Sequence, residues 1–567
     1  MKKTILFLAI TSIVGCTHVD NKNDDMAINH KPKPKPETVD TEEAEVKVAN
    51  DRAYTHQAKK EALVVSAGRI AGSSVNYFPQ PLSSPPIVNR ENYNHFDDNG
   101  VKLVGNDPVS TFSIDVDTGA YSNMRRMLNQ GIVPPHDAIR VEELINYFDY
   151  SYPTPKNTEQ PFSISTELAA SPWNPNAKLM HIGIQGYDID KAQRPASNLT
   201  FLIDVSGSMN SPDKLGLLKS SFKLMTKNLT KNDKVSIVVY AGAAGTVLEP
   251  TSGNEKSKIM QALDKLSAGG STNGSAGIKL AYQLNEDNFI KDGINRVIIA
   301  TDGDVNVGTT NFEQLIEMVE RKKEKGVALT TLGFGTGNYN DHLMEQLANK
   351  GNGNYAYIDT LKEANKVLVN EMSSTLMTIA KDVKIQIEFN PLIVSQYRLI
   401  GYENRVLNNE DFNNDKIDAG EIGAGHTVTA LYEVVLNGSQ GWVEPLKYQS
   451  NESNKPYSDE LATLKVRYKQ PDSDTSELIV QTVNKNQIQS ETSNNFKLST
   501  AVAGFGQLLR GGKMTKDFSY ADVQKLVKHT LTEDNSGYRG EFLQLVSLAE
   551  SLTNQQANHV EYDVSND

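Results

Sequence analysis

The chain has 567 residues, with 70 acidic against 57 basic side chains and a formal net charge of −13. That balance repels nucleic acid and anionic lipid surfaces, and no basic patch or aromatic–basic interleaving overrides it. The single cysteine excludes an intramolecular disulfide, and past the first residues no segment is long and apolar enough to cross a bilayer.

At the N-terminus, Lys2 and Lys3 precede the apolar run Ile5 to Ile10. The run is too short for a permanent membrane span and has the form of a secretory signal, taken here as residues 1–15. It ends in Ile13-Val14-Gly15-Cys16. This resembles the lipobox of bacterial lipoproteins, which implies cleavage before Cys16 and lipidation of its thiol. Thr17, not Asp, follows. By the sorting rule of enteric bacteria this favours the outer membrane over the inner, so the expected place is the cell envelope, facing periplasm or surface. Residues 16–90 read as a disordered tether. His30-Lys31-Pro32-Lys33-Pro34-Lys35-Pro36 is extended and hydrated, and Pro79, Pro81, Pro85 and Pro86 break any order.

Residues 91–195 read as an N-terminal α/β region, with order expected from about Tyr93. Val109 to Gly119 alternates apolar and polar residues, the pattern of a half-buried strand. Asp115, Asp117 and Thr118 mimic a metal motif, but no hydroxyl-bearing loop follows them, so they read as a strand end and turn. Tyr121 to Gln130 and Ala138 to Phe148 read as helices separated by Pro134-Pro135. Strand patterns follow at Phe162 to Leu168 and Lys178 to Gln185.

Residues 196–375 carry the most informative segment. The apolar run Thr200 to Ile203 leads directly into Asp204-Val205-Ser206-Gly207-Ser208. A carboxylate and two hydroxyls at alternating positions leave the end of a buried strand, and Gly207 lets the chain turn. Three hard oxygens converging on one point suit Mg²⁺, although short Asp/Ser/Gly runs are also ordinary turn chemistry. Two later segments add to them. Ser267 to Gly274 is a Gly-rich loop carrying Thr272, and the apolar strand Val297 to Thr301 ends at Asp302-Gly303-Asp304. The carboxyl ends of strands form the binding edge of an open α/β sheet, and Asp204 and Asp302 both lie just past such ends. Helical patterns at Lys214 to Leu229, Lys256 to Leu266, Ala276 to Leu284, Phe312 to Lys325, Asp341 to Asn349 and Leu361 to Met372 alternate with strands at Val235 to Tyr240, Ala328 to Phe334 and Tyr355 to Ile358. This alternation over roughly 180 residues predicts one doubly wound, mostly parallel sheet flanked by helices.

The combination resembles the von Willebrand factor type A domain and its metal-ion-dependent adhesion site. That family's pattern is Asp-x-Ser-x-Ser, then a Thr in a Gly-rich loop, then an Asp after a later strand. Asp204, Ser206, Ser208, Thr272 and Asp302 match it in order. The resemblance implies a Mg²⁺ (or Mn²⁺) held mainly by neutral hydroxyls. Such an ion keeps net positive charge and an open position that a partner's Asp or Glu can fill. Ser110 to Gly119 and Arg140 to Phe148 resemble the N-terminal extension of a bacterial family of lipoproteins with this domain, and the likeness runs from about Tyr93 to Leu552.

Residues 376–490 read as β-rich, with strands at Val383 to Phe389, Thr427 to Leu436 and Ala462 to Tyr468. Strands on both sides of the A domain predict that it is inserted into a β-sandwich built from discontinuous segments. By analogy with other A-domain adhesion proteins, a shift of the Leu361 to Met372 helix would then pull on the strand at Val383. Asp411 to Ile422 partly follows an EF-hand loop, but Lys416 stands where Gly is required and Ile422 where a bidentate Glu is required. That weighs against Ca²⁺ and for a solvated acidic turn. Residues 491–567 read as helical, at Ser499 to Leu509, Tyr520 to Leu531 and Tyr538 to Leu552, with a polar, mobile tail from Asn554. No nucleophile elbow, His-Glu-x-x-His or phosphate-binding loop occurs, so no enzyme is expected. The leading expectation is a lipid-anchored module that captures an acidic group of a protein partner through its metal. An accessory scaffold subunit of an envelope or secretion assembly, switched by the metal, is the alternative, and a metal-dependent hydrolase a distant third.

Overall fold

A computed structural model describes residues 90–156, 159–190, 193–272, 274–303, 312–444 and 459–564, with side chains to residue 555. The signal, Cys16, the expected tether and Asp304 lie outside the described residues.

The expected doubly wound sheet is present. Its six strands run in the order Tyr355–Ile358, Ala328–Phe334, Ile294–Thr301, Ser197–Asp204, Lys234–Tyr240 and Ala244–Ser252. The first five are parallel neighbours, and the last returns antiparallel at the edge. Every residue of Ser197–Asp204 is buried, as a central strand covered on both faces requires. Its side chains divide with the pleat: Leu199, Phe201 and Ile203 join a core with Leu218, Phe222, Ile259 and Leu263 on one face, and Leu202 joins Ile278, Tyr282 and Val319 on the other. The central strand ends at Asp204 and its neighbour at Thr301, so both motif loops leave the same sheet edge.

The flanking strands form the expected sandwich. One sheet has the order Lys102–Leu103, Val394–Ile400, Thr427–Leu436, Ala177–Gly186, Phe162–Ala170. In the other, Gly420–Gly423, Thr378–Phe389, Glu460–Lys469 and Ser476–Asn484 follow one another, and Val109–Ser113 also pairs with Thr378–Phe389. A single apolar core, including Phe112, Met180, Ile182, Ile385, Ile387 and Tyr432, fills the space between them. A further core gathers the helices Gly119–Asn129 and Val141–Asn146 against Asn494–Leu509, Tyr520–Lys528 and Tyr538–Val564.

Buried ion pairs fasten the N-terminal helices to the A domain. The Arg125 guanidinium donates to Asp359 (2.7 Å) and Glu363 (2.8 Å), and the Tyr147 hydroxyl donates to the same Glu363 oxygen (2.8 Å). Arg140 bridges Glu143 and Asp341. Asp115 and Asp117 sit at the predicted strand end and turn, where Arg405 faces both carboxylates and Asp117 also accepts the Tyr355 N–H (2.8 Å).

Several expectations change. The helix predicted from Lys214 begins as a π turn, Pro212–Gly216, before the α-helix Leu217–Lys227. The predicted Leu361 to Met372 helix is broken into Leu361–Asn365, a π turn at Lys366–Asn370, and Met372–Leu376. Burial of the Lys366 stem, with its ammonium on Glu371, fits that wider turn. The C-terminal helix continues to Val564 instead of ending near Asn554, because no Gly or Pro follows Gly540 to stop it. In the acidic loop, Asp415 faces Arg467 and Asp418 faces Lys323.

Candidate functional site

The site is built at the carboxyl edge of the parallel sheet. Asp204 and Asp302 are fully buried and Ser206 nearly so, whereas Ser208 is exposed and Thr272 half-buried. The cluster therefore has a buried acidic floor and an open mouth at Ser208. Asp204 is fixed through both oxygens: Oδ1 accepts the Ser206 N–H (2.8 Å) and Oδ2 accepts the Thr301 hydroxyl (2.9 Å). Burial pushes the Asp204 carboxyl above its usual range, and Asp302 pushes the same way, while the bonds from Ser206 and Thr301 hold it back.

The Gly-rich loop reaches this turn through its backbone. The Gly207 N–H donates to the Gly270 carbonyl (3.0 Å), and the Gly269 N–H to that of Val205 (2.8 Å). Gly270 has φ +88°, a conformation that glycine adopts freely. Thr272 follows two residues later, so its loop is docked on the Asp204–Ser208 loop. After Asp302 the chain turns at Gly303, with φ +87°, against Asn340. A side-chain Cβ at 303 would come within 2.4 Å of the Asn340 nitrogen. The four residues Asp204, Ser206, Ser208 and Asp302 and the Thr272 loop thus share one sheet edge.

Sequence reasoning missed three residues here. Thr301 orients Asp204. The Lys214 ammonium donates to Asp302 Oδ2 (2.9 Å) and to Asn338 Oδ1 (3.0 Å), and Asn338 Nδ2 donates to the same Asp302 oxygen (3.2 Å). A signal for Asn338 exists: Gly335-Thr336-Gly337-Asn338 follows the strand Ala328–Phe334, the next carboxyl end along the sheet. Lys214 had no such signal, since it reads as the start of an amphipathic helix.

The donor set suits a hard cation. Among the described residues no three His, Cys, Asp or Glu side chains gather as a metal-binding group, so an ion would draw on hydroxyls as well as carboxylates. Ser206 Oγ and Ser208 Oγ stand 3.0 Å apart. Neighbouring ligands of an octahedral ion with Mg–O bonds of about 2.0–2.1 Å are separated by about 3 Å. The pair is therefore spaced as two adjacent corners of such an octahedron.

Comparison with known proteins finds three matching families. Residues 198–371 match the von Willebrand factor type A domain, residues 87–181 the family described as von Willebrand factor, and residues 374–552 that described as uncharacterized protein YfbK, C-terminal. The chain is 46% identical to the uncharacterized protein YfbK of Escherichia coli K12, over 81% of each chain. It is 25% identical to human inter-alpha-trypsin inhibitor heavy chain H3, over 42% of this chain and 28% of that one. Among solved structures, the von Willebrand factor type A protein of Catenulispora acidiphila is similar, at 13% identity and a TM-score of 0.40, over 69% of this chain and 91% of that one. The A-domain match carries a role of the protein-interaction or adhesion-scaffold kind, and no enzyme family is indicated by the three matches. At the identity and coverage shared with YfbK, the chain belongs to the family of von Willebrand factor type A domain proteins that bear the YfbK C-terminal domain.

Proposed function

We propose that this protein is a lipid-anchored envelope module whose A domain holds Mg²⁺ or Mn²⁺ and captures an acidic side chain of a protein partner. The observation that carries the reading is the Ser206–Ser208 hydroxyl pair, spaced 3.0 Å apart at an exposed mouth above two buried carboxylates. Ser206, Ser208 and Thr272 would hold the ion, with Asp204 and Asp302 supplying charge beneath it. The bound ion would supply a positively charged open position for a carboxylate. The chain's own contribution is rigidity: Asp204 is held at both oxygens, the Asp204–Ser208 and Gly-rich loops are joined by backbone hydrogen bonds, and the Asp302 turn packs at Gly303 against Asn340. Attachment through Cys16 belongs to the same proposal and rests on the lipobox.

The test is metal-dependent stability of the full chain. A ligand that binds only the folded state raises stability by mass action, by about 2.7 kcal/mol at a hundredfold excess over Kd. Mg²⁺ is expected to raise the melting temperature of the wild type, and Asp204→Ala and Thr272→Ala are expected to abolish that rise. An unchanged Mg²⁺ response in both variants refutes the site. Pull-down from envelope extract with and without EDTA then separates capture from scaffolding: partners lost on chelation are bridged by metal.

A further inference from the structure

The Lys214–Asp302 contact is built into the fold. Lys214 lies on the π turn Pro212–Gly216, which follows the Asp204–Ser208 loop directly. Its side chain is 9% exposed, and that of Asp302 not at all. The stem runs through a slot that only a glycine leaves open. A Cβ on Gly335, which has φ +75°, would fall 2.2–2.7 Å from Lys214 Cγ, Cδ and Cε. Beyond that slot the ammonium meets Asp302 and Asn338 together. A side chain merely covering a surface needs neither a tailored glycine nor two polar partners at its tip.

We propose that Lys214 is a positioning residue of the metal site, one that holds Asp302 away from direct ligation and leaves the loaded site positively charged. This rests on the metal reading above. Without Lys214, the two acidic groups Asp204 and Asp302 would cancel a divalent ion. With it, one positive charge remains to attract an acidic partner, and the metal is bound less tightly than the carboxylates alone would allow. Even with water-like screening, a positive charge at such close range weakens the binding of a divalent ion about tenfold. Lys214 therefore trades metal affinity for attraction of the partner's carboxylate.

The test is Mn²⁺ titration of the full chain, read by the electron paramagnetic resonance of the free ion. Wild type, Lys214→Met and Lys214→Gln are compared, with circular dichroism as a check on folding. Both variants are expected to bind Mn²⁺ at least about tenfold more tightly than wild type, a gain that damage to the structure does not produce. The Gln variant keeps a donor for Asp302 and serves if the Met variant fails to fold. Wild type binding Mn²⁺ while a folded variant binds equally or more weakly overturns the role of Lys214 and leaves the metal site standing. Binding by none of the three overturns both proposals. Binding by the variants alone supports the role given to Lys214.

Discussion

Replacing Arg140 with Met tests whether buried charge pairs lock the A domain to the N-terminal helices. The Arg140 side chain is 1% exposed, and around it lie the carboxylates of Glu143, Asp341 and Glu345, at 0%, 1% and 6%. Its guanidinium contacts both oxygens of Asp341 and lies 5.7 Å from the Tyr355 ring centre. Methionine keeps most of the stem but leaves the acids without this counter-ion. Removing one partner of a buried pair costs about 3–5 kcal/mol. The loss is to be read from urea midpoints by circular dichroism and by fluorescence, since Trp173 is buried. The deficit carries a pH signature. Burial already pushes the Glu143 carboxyl up and Arg140 holds it back, so without Arg140 its folded-state pKa rises further above the unfolded value and the variant binds more protons folded than unfolded. Its stability is then greater at low pH and falls as pH rises through the raised pKa. The gap from wild type is therefore expected to be larger at pH 8 than at pH 5. A loss below about 1 kcal/mol, or a gap that does not change with pH, refutes the idea that this pair holds the two parts together.

Two other outcomes follow from single positions. Gly303→Ala places a Cβ 2.4 Å from the Asn340 nitrogen at a φ of +87°; it is expected to cost about 1–3 kcal/mol and to reduce the Mg²⁺-dependent rise in melting temperature, and a variant melting like wild type would contradict this. His181 is buried beside the Tyr152 hydroxyl (2.8 Å), and burial lowers its pKa to about 4. The unfolded chain then takes up a proton near pH 6.5 that the folded chain refuses until about 4, so stability falls on acidification through that window. Wild type is expected to lose about 2 kcal/mol relative to His181→Gln between pH 7.5 and pH 5, and urea midpoints showing a constant difference would exclude His181 as the cause.

The A-domain core was legible because its strands are buried on both faces and read as unbroken apolar runs, as at Val297 to Thr301. Edge strands gave weaker patterns. Ala244–Ser252 contains Gly245 and Pro250, and Ser476–Asn484 leaves Leu478 and Val480 exposed, so neither shows the inside–outside alternation that marks a half-buried strand. Val394–Ile400 went unread for a different reason: its polar residues Gln396 and Arg398 are themselves buried, the latter against Glu433. At the site, residues supplied by the motif were legible, and those supplied by tertiary contact were not. Thr301 and Asn338 act through partners distant in the chain, and Lys214 is aimed by Gly335, which no local pattern connects to it.

The nesting of the A domain also dictates an order of assembly. Ala177–Gly186 takes Thr427–Leu436 as its antiparallel neighbour, and Val109–Ser113 takes Thr378–Phe389, each from across the whole inserted domain. As the chain emerges N-terminus first, the early strands have no neighbour on that side until the late ones follow. Collapse of the intervening A domain shortens the gap between them, because its entry and exit then become neighbours in space. The sandwich is thus closed last, after the inserted A domain has become compact.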